Sequence, residues 1–300
     1  MKILNFGSLN IDYVYRVDHF VRKGETISSR SLQVFSGGKG LNQSIALGRA
    51  GVPVFHAGCI GEDGRFLLEQ LKEAGAEPRY VSVLPDMRTG NAIIQNDSSG
   101  DNCIILYGGA NRAVGKQQID LVLKDFSKGD WLLLQNETSC LNELIEAGHE
   151  KGMVIVLNPS PMDEVIRTVN LQHVDWFLLN EIEAAQLTGL PENQCGKELL
   201  IQALQQEFPS SKILLTLGEE GSCCAADGQV LNQPAYPVKA VDTTAAGDTF
   251  TGYFLSEVLR GGSVKYALDI ASQAAAIAVS RRGAAPSIPW RDEIPGIKLI

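Results

Sequence analysis

The sequence predicts an α/β fold built on a mainly parallel sheet, and two observations carry that prediction. From about residue 116 onward, short continuous apolar runs (131–134, 153–157, 174–179 and 212–217) alternate with helical patterns (139–150, 181–188 and 195–206). Strands apolar on both faces and separated by amphipathic helices belong to a parallel sheet covered on both sides. In addition, Glu137, Asn180 and Gly218 each sit just past such a run. Open sheets of this kind bind ligands beyond the carboxyl ends of their strands. Three hundred residues suit one large α/β unit, so a single domain over 1–300 is expected.

In chain order, residues 2–7 form an apolar run that reads as a buried strand, and 13–17 and 27–35 read as further strands. Two strands before any helix do not fit a strict βαβ beginning. Ser36-Gly37-Gly38-Lys39-Gly40 then opens a helix to about residue 50, followed by a strand at 54–59 and a helix at 66–74. Residues 88–95 and 102–107 flank a polar turn and predict a β-hairpin. Together the early strands and the hairpin predict a small separate sheet. Two long helices, 247–260 and 263–281, close the pattern.

At 44% hydrophobic and 20% charged, the composition is that of an ordinary globular protein. A net charge of −9 argues against nucleic acid or an anionic membrane as partner, since both attract basic patches. Any phosphate must then be held by local donors. No stretch approaches the ~18 apolar residues of a membrane span, and the first apolar run is too short for a signal peptide. Six cysteines without a C-x-x-C pair suggest neither a disulfide framework nor a zinc site. A cytoplasmic location is expected.

The chemistry concentrates in Asp242-Thr243-Thr244-Ala245-Ala246-Gly247-Asp248-Thr249-Phe250. Small residues at 245–247 let the chain turn tightly into a helix whose first N–H groups and dipole form an anion site. Asp248 lies in the same turn. It either caps the helix or withdraws a proton while an anion is attacked. Gly37-Gly38-Lys39-Gly40 fails the Walker A pattern, because Lys39 is followed by Gly. It is either a flexible turn or a close approach of backbone to a small polar ligand, with Asn42 supplying a two-way amide. Asn10 and Asp12, two apart, share one face if extended and suit a polyol, although both residue types are common in turns. Asn180 with Glu183 reads as a capping box or as a metal–phosphate site. Thr216 to Gly221 is a plain connection or a loop moulded on a nucleotide phosphate.

In this order and at this spacing the sequence resembles the PfkB family of carbohydrate kinases, ribokinase-like members above all. The two signatures are Gly37-Gly38-Lys39-Gly40-Leu41-Asn42-Gln43 and 242–250, and the resemblance runs essentially the whole chain. It implies a ribokinase-like three-layer α/β/α sandwich with a mainly parallel central sheet and a small β-sheet lid, formed from about 11–17, 27–35, 88–96 and 102–108. It implies an ATP-dependent kinase acting on the primary hydroxyl of a pentose, D-ribose at O5 first. A ketohexose, deoxyribose or nucleoside is the alternative acceptor, and a catalytically silent sugar sensor is a more distant one.

By that resemblance Asp248 is the general base, and the N–H groups of Ala245, Ala246 and Gly247 form the anion hole. Asn10, Asp12, Gly38, Lys39, Asn42 and Glu137 fall on sugar-holding positions. Asn180, Glu183, Thr216, Gly218, Gly221, Gly247 and Ser272 fall on nucleotide positions, with Asn180 and Glu183 ordering Mg²⁺ and its waters. Asp242, Thr244, Ala278, Arg281, Gly283 and Ser287 fall on a monovalent-cation (K⁺) site, mostly through carbonyls. A homodimer through the lid is implied. Leu41, Ile11 and Ser272 depart from what is usual in the family, the first two beside the sugar.

Overall fold

Strands that are apolar throughout need cover on both faces, and the chain provides it. The computed structural model describes residues 1–99, 101–191 and 195–296. β1 (Ile3–Phe6) is followed by β2 (Asn10–Arg16) and β3 (Ser31–Gly37) before the first helix, α1 (Lys39–Arg49). Then come β4 (Val54–Gly61), α2 (Arg65–Glu73), β5 (Glu77–Leu84), β6 (Gly90–Asn96) and β7 (Asn102–Tyr107). The next segment holds α3 (Lys116–Leu123), β8 (Trp131–Gln135), α4 (Leu141–Glu150), β9 (Val154–Asn158), β10 (Trp176–Asn180), α5 (Glu181–Thr188) and α6 (Lys197–Glu207). β11 (Lys212–Thr216), β12 (Ser222–Ala226), β13 (Gln229–Gln233), α7 (Ala246–Leu259) and α8 (Val264–Val279) follow.

Nine strands form the central sheet in the order β13-β12-β11-β10-β9-β8-β1-β4-β5. The pairs from β11 to β5 are parallel, and β12 and β13 add an antiparallel edge. Alternate residues of one strand enter opposite cores. Trp131 and Leu133 pack with α1, α2, α7 and α8, whereas Leu132 and Leu134 pack with α3 to α6. That alternation makes the three layers.

Three elements were not anticipated: β5, α3 and β13. β5 opens on Glu77-Pro78-Arg79, which reads as a loop, and a proline is tolerated there because the strand is an edge with a register shift against β4. β13 is the opposite edge, polar and mostly exposed.

The second sheet has the order β3-β2-β6-β7, antiparallel except for the β2–β6 pair. Its strands start nearer the central sheet than the sequence suggested, since β2 begins at Asn10, four residues after β1 ends at Phe6. Asn10 and Asp12 are thereby both strand residues and share a face. Among the described residues no helix is long and apolar enough to cross a membrane.

Candidate active site

The carboxyl ends of β1, β8, β9, β10 and β11 adjoin in the sheet and deliver Ser8, Glu137, Asn158, Asn180 and Thr216 to one edge. Over that edge sits the start of α1. Gly38 has φ +93°, a conformation that glycine adopts without strain. A Cβ on Gly40 would lie 2.4 Å from the Ser8 nitrogen, so this glycine lets the helix settle directly on the turn after β1. Leu41 N–H donates to the Ser8 carbonyl at 2.8 Å. Glu137 Oε2 accepts the Lys39 N–H at 2.9 Å and the Ser8 hydroxyl, which fixes the carboxylate beneath the Gly38–Lys39 turn. Asn10 is held by Asn111, whose Nδ2 donates to Asn10 Oδ1 at 2.7 Å while its Oδ1 accepts the Leu9 N–H at 3.0 Å. Asp12 is pushed up to about 7 by burial, and secondarily by the nearby Glu137 carboxylate.

Across the cleft, α7 begins at Ala246, with Ala245 as N-cap at φ +59°. A non-glycine residue in that region is strained, and such residues cluster at functional turns. Among the described residues the N–H groups of Ala245 and Gly247 have no acceptor. Ala246 differs from expectation: its N–H donates to the Thr243 carbonyl at 3.2 Å, closing the turn. Of the three amides assigned to the anion hole, two are therefore free, and the third spends at least part of its capacity on shape.

Asp248 is buried, 8% exposed, and does not serve as the cap. Its Oδ2 accepts Asn42 Nδ2 at 3.0 Å and its Oδ1 accepts Gln43 Nε2 at 2.9 Å. Both donors stand on α1, which crosses α7 where Gly252 faces Ala46. A Cβ on Gly252 would fall 2.3 Å from the Ala46 Cβ. These two positions lie one turn beyond Asp248 and Asn42, so the close crossing brings the amides onto the carboxylate.

A cavity of about 250 Å³ opens there, lined by Lys39, Asn158, Asn180, Glu183, Thr216 and Asp248 together with residues 245–247. Burial alone would lower the Lys39 ammonium, but the carboxylates of Asp248, Glu137 and Glu183 outweigh it, so its pKa is raised and it stays protonated. Asn180 and Glu183 form a complete capping box: Glu183 N–H donates to Asn180 Oδ1 at 2.8 Å and Asn180 N–H to Glu183 Oε2 at 3.0 Å. The capping-box reading of this pair is met, and both residues also line the cavity.

A second cavity, about 550 Å³, meets the first at Thr243 and Ala246. Tyr236, Pro237, Val238, Phe250 and Val279 give it apolar walls, and Gly218, Gly221 and Ser272 also line it. Ser272 Oγ is buried without a hydrogen-bond partner. A flat aromatic base with one polar edge suits such a slot.

The positions assigned to a monovalent cation are knitted together behind the anion turn. Asp242 accepts Thr244 N–H at 2.9 Å and Gly283 N–H at 2.9 Å, while the N–H groups of Val241 and Asp242 reach the Val279 carbonyl beside Ala278. Burial would raise the Asp242 carboxyl, but the Thr244 hydroxyl, the Gly283 and Thr244 N–H groups and the Arg282 charge hold it below the ordinary range. Arg281 N–H donates to the Ala278 carbonyl at 3.0 Å and its guanidinium pairs with Glu293, so only its carbonyl is left for a cation. Ser287 is fully buried and donates its hydroxyl to the Ala284 carbonyl at 2.8 Å.

The model of the pfkB family carbohydrate kinases matches residues 1–291. The chain belongs to that family. A ribokinase of Haemophilus influenzae is 32% identical over 291 residues, covering 96% of this chain and 95% of the relative. Among solved structures, Arabidopsis thaliana ribokinase complexed with ribose and ATP superposes with a TM-score of 0.86 at 30% identity, covering 98% of this chain and 96% of that one. Cryptococcus neoformans ribokinase in complex with ADP gives 0.85 at 32%, covering 98% of each. As a family member the protein is a carbohydrate kinase, and its layered fold with a small second sheet is the ribokinase-like one.

Several residues of this family site escaped the sequence reading. Gln43 lies inside the first signature but was given no role, although it touches Asp248 directly. Asn158 ends β9 as Asn180 ends β10, and the same signal, a polar residue closing an apolar strand, marks both. Asn111 left no local signal, because its part in holding Asn10 depends on a contact 101 residues away in sequence.

Proposed function

We propose that this carbohydrate kinase transfers the γ-phosphoryl group of ATP to the primary hydroxyl of a pentose, D-ribose at O5 first, giving ribose 5-phosphate. The observation that carries the reading is the arrangement around Asp248. Its two oxygens are held by two amides, at a cavity that also receives a protonated lysine and free helix-start N–H groups. Phosphoryl transfer asks a protein chiefly for positioning and charge stabilisation.

The purine would occupy the apolar slot, its polar edge meeting Ser272 Oγ, with Gly218, Gly221 and Thr216 alongside its sugar and phosphates. The γ-phosphoryl group would enter the smaller cavity against Gly247 N–H and Lys39. The acceptor sugar would lie between the two sheets, held by Asn10, Asp12, Gly38, Asn42 and Glu137. Asn42 is well prepared for this: its Nδ2 is committed to Asp248, while its Oδ1 is buried and unpartnered, ready to accept a sugar hydroxyl. Asp248 then receives the proton of the attacking hydroxyl as the O–P bond forms and the β–γ bridging bond of ATP breaks, leaving ADP.

Among the described residues no cluster of three or more His, Cys, Asp or Glu could hold a metal by itself. That suits Mg²⁺ carried on the nucleotide phosphates, which keeps most of its waters; Asn180 and Glu183 would order them. When bound, the ion neutralises charge on the phosphates. The oxygen-only set around Asp242, Thr244, Ala278, Arg281, Gly283 and Ser287 fits K⁺, which would stiffen the turn ahead of Ala245. The second sheet would act as a lid, and its exposed outer face would pair with that of a second copy in a cytoplasmic homodimer.

The deciding experiment is a panel of ribose, deoxyribose, fructose and nucleosides with ATP, Mg²⁺ and K⁺. Ribose is expected to give the highest kcat/KM, with a loss of rate when Na⁺ replaces K⁺ at constant ionic strength. A different acceptor at least about tenfold better would replace ribose, a ratio equivalent to about 1.4 kcal/mol of transition-state binding.

A further inference from the structure

Behind the carboxylate of Asp248 runs a line of buried side-chain amides, of which Gln43 alone touches the carboxylate. Gln43 Nε2 donates to Asp248 Oδ1 at 2.9 Å and to Asn158 Oδ1 at 3.1 Å. Gln43 Oε1 accepts Gln135 Nε2 at 2.7 Å, and the same Gln135 nitrogen donates to Asn5 Oδ1 at 3.0 Å. Asn5 Nδ2 ends the line on the Gly40 carbonyl at 2.7 Å and on Ser44 Oγ at 2.8 Å. Asn5 and Gln43 are fully buried and Gln135 is 1% exposed. These residues come from β1, α1 and the end of β8, so one polar thread crosses three elements.

The direction of the thread follows from its end. A carboxylate only accepts, so Gln43 must present its NH₂ group to Asp248 and its carbonyl backward. Gln135 must then present NH₂ to Gln43, and Asn5 its carbonyl to Gln135. His56 anchors the far side. Burial drives its pKa down to about 4, keeping it neutral; its Nδ1 then accepts the Ser44 hydroxyl at 2.7 Å and its Nε2–H points to the Gly7 carbonyl at 3.3 Å. Every amide orientation is thus determined, because a flip would set donor against donor or acceptor against acceptor, although Gln135 Oε1 itself stays buried without a partner.

We propose that Gln43 is a positioning residue for the phosphoryl transfer: backed by Gln135 and Asn5, it fixes the plane of the Asp248 carboxylate toward the acceptor hydroxyl. Asn42 cannot do this alone, because a single bond to Oδ2 leaves rotation about the Cβ–Cγ bond open. The second bond, to Oδ1, closes it. The thread also ends on the Gly40 carbonyl, beside the Gly38–Lys39 turn assigned to the sugar. The base and the sugar loop are therefore registered to one another through the protein interior.

This inference rests on Asp248 acting as the base, and its test is separable from that reading. Gln43→Met keeps the side-chain length and removes all three hydrogen bonds; Gln135→Met leaves the Gln43–Asp248 bond and removes the bonds behind it, to Gln43 Oε1 and Asn5 Oδ1. Misplacement of a reacting group by about 1 Å costs on the order of 100-fold in rate. The expected result is a kcat lowered about 100-fold in Gln43→Met and about tenfold in Gln135→Met, while calorimetric affinities for ribose and a non-hydrolysable ATP analogue stay within about twofold. A purely structural role would lower the thermal transition and leave kcat of the folded enzyme intact. The inference is overturned if Gln43→Met turns over within about twofold of wild type, or if affinity falls in step with kcat. Should Gln43→Met not fold, a folded Gln135→Met with normal kcat overturns it equally. An active Asp248→Asn would instead remove the base itself, a distinct failure.

Discussion

Two regions of this molecule invert the usual sorting of residues, in opposite directions. Beneath Asp248, Asn5, Gln43, Ser44, His56 and Gln135 are buried where apolar side chains are the rule. On β7, Ile104, Ile105, Leu106 and Tyr107 are between 50% and 59% exposed where polar ones are the rule. Buried polar groups and exposed apolar runs are the informative exceptions to residue sorting. The first region is largely closed on itself, since its hydrogen bonds run from one buried amide to the next and finish on a carboxylate, with Gln135 Oε1 left without a partner. The second is incomplete: its strand is an edge, and the cross-strand row Val34, Tyr13, Ile93, Ile105 lies on the face opposite Asp12. One region is therefore pre-set, and the other is exposed.

The largest effect is expected where the pre-set region meets substrate. Asp248→Asn keeps the shape but replaces an acceptor with a group that cannot take a proton. It also sets an NH₂ group against the NH₂ of either Asn42 or Gln43. A loss of kcat of about 10³-fold or more is expected, about 4 kcal/mol, with sugar and nucleotide affinities little changed. Single-turnover kinetics beside calorimetry would measure both. Retained turnover would show that the buried region serves stability alone, and the contrast between the two regions would lose its functional meaning.

The second prediction acts on the uncovered region. Ile105→Lys adds a charge to the exposed row without disturbing the core, so the thermal stability of the isolated chain should change by no more than about 0.5 kcal/mol. Sedimentation should nevertheless show a dimer in the wild type and a monomer in the variant. A wild type already monomeric at micromolar concentration would mean that no second copy covers this face.

The same contrast explains what the sequence disclosed. Interior strands such as β8 and β9 announce themselves, because burial on both faces demands continuous apolar residues. The edges β5 and β13 do not, as an edge tolerates Pro78 and polar positions. The site divides likewise. Asp248, Lys39 and the glycines sit in two local signatures, where turn geometry and chemistry coincide within a few residues. Asn111, Gln135 and Asn5 are ordinary amides in their own segments and acquire a role only through partners far along the chain. The occupied N–H of Ala246 was equally hidden, since whether a turn spends a given amide depends on its dihedral angles rather than its composition.

The smallest effect expected lies between the two regions, at Asp12, which shares a strand with the uncovered row but is on the face proposed to hold the sugar. Burial, with Glu137 beside it, lifts this carboxyl to about 7 in the folded protein against an ordinary value of 3.8. Between those values the folded state keeps a proton that the unfolded chain has lost, so stability present at low pH is lost as pH rises through about 7. Sugar hydroxyls, in contrast, donate best to the ionised form. Ribose affinity should therefore rise severalfold, by about 1 kcal/mol or less, from pH 6 to pH 8, over the range in which the unliganded protein loses stability. Asp12→Asn should flatten both trends, binding ribose more weakly at pH 8 while melting at a higher temperature there. Calorimetric titrations and thermal scans of both proteins at the two pH values would check this. If ribose binding in the wild type does not vary with pH, Asp12 does not meet the sugar as a carboxylate, and its raised pKa reflects only a crowded strand.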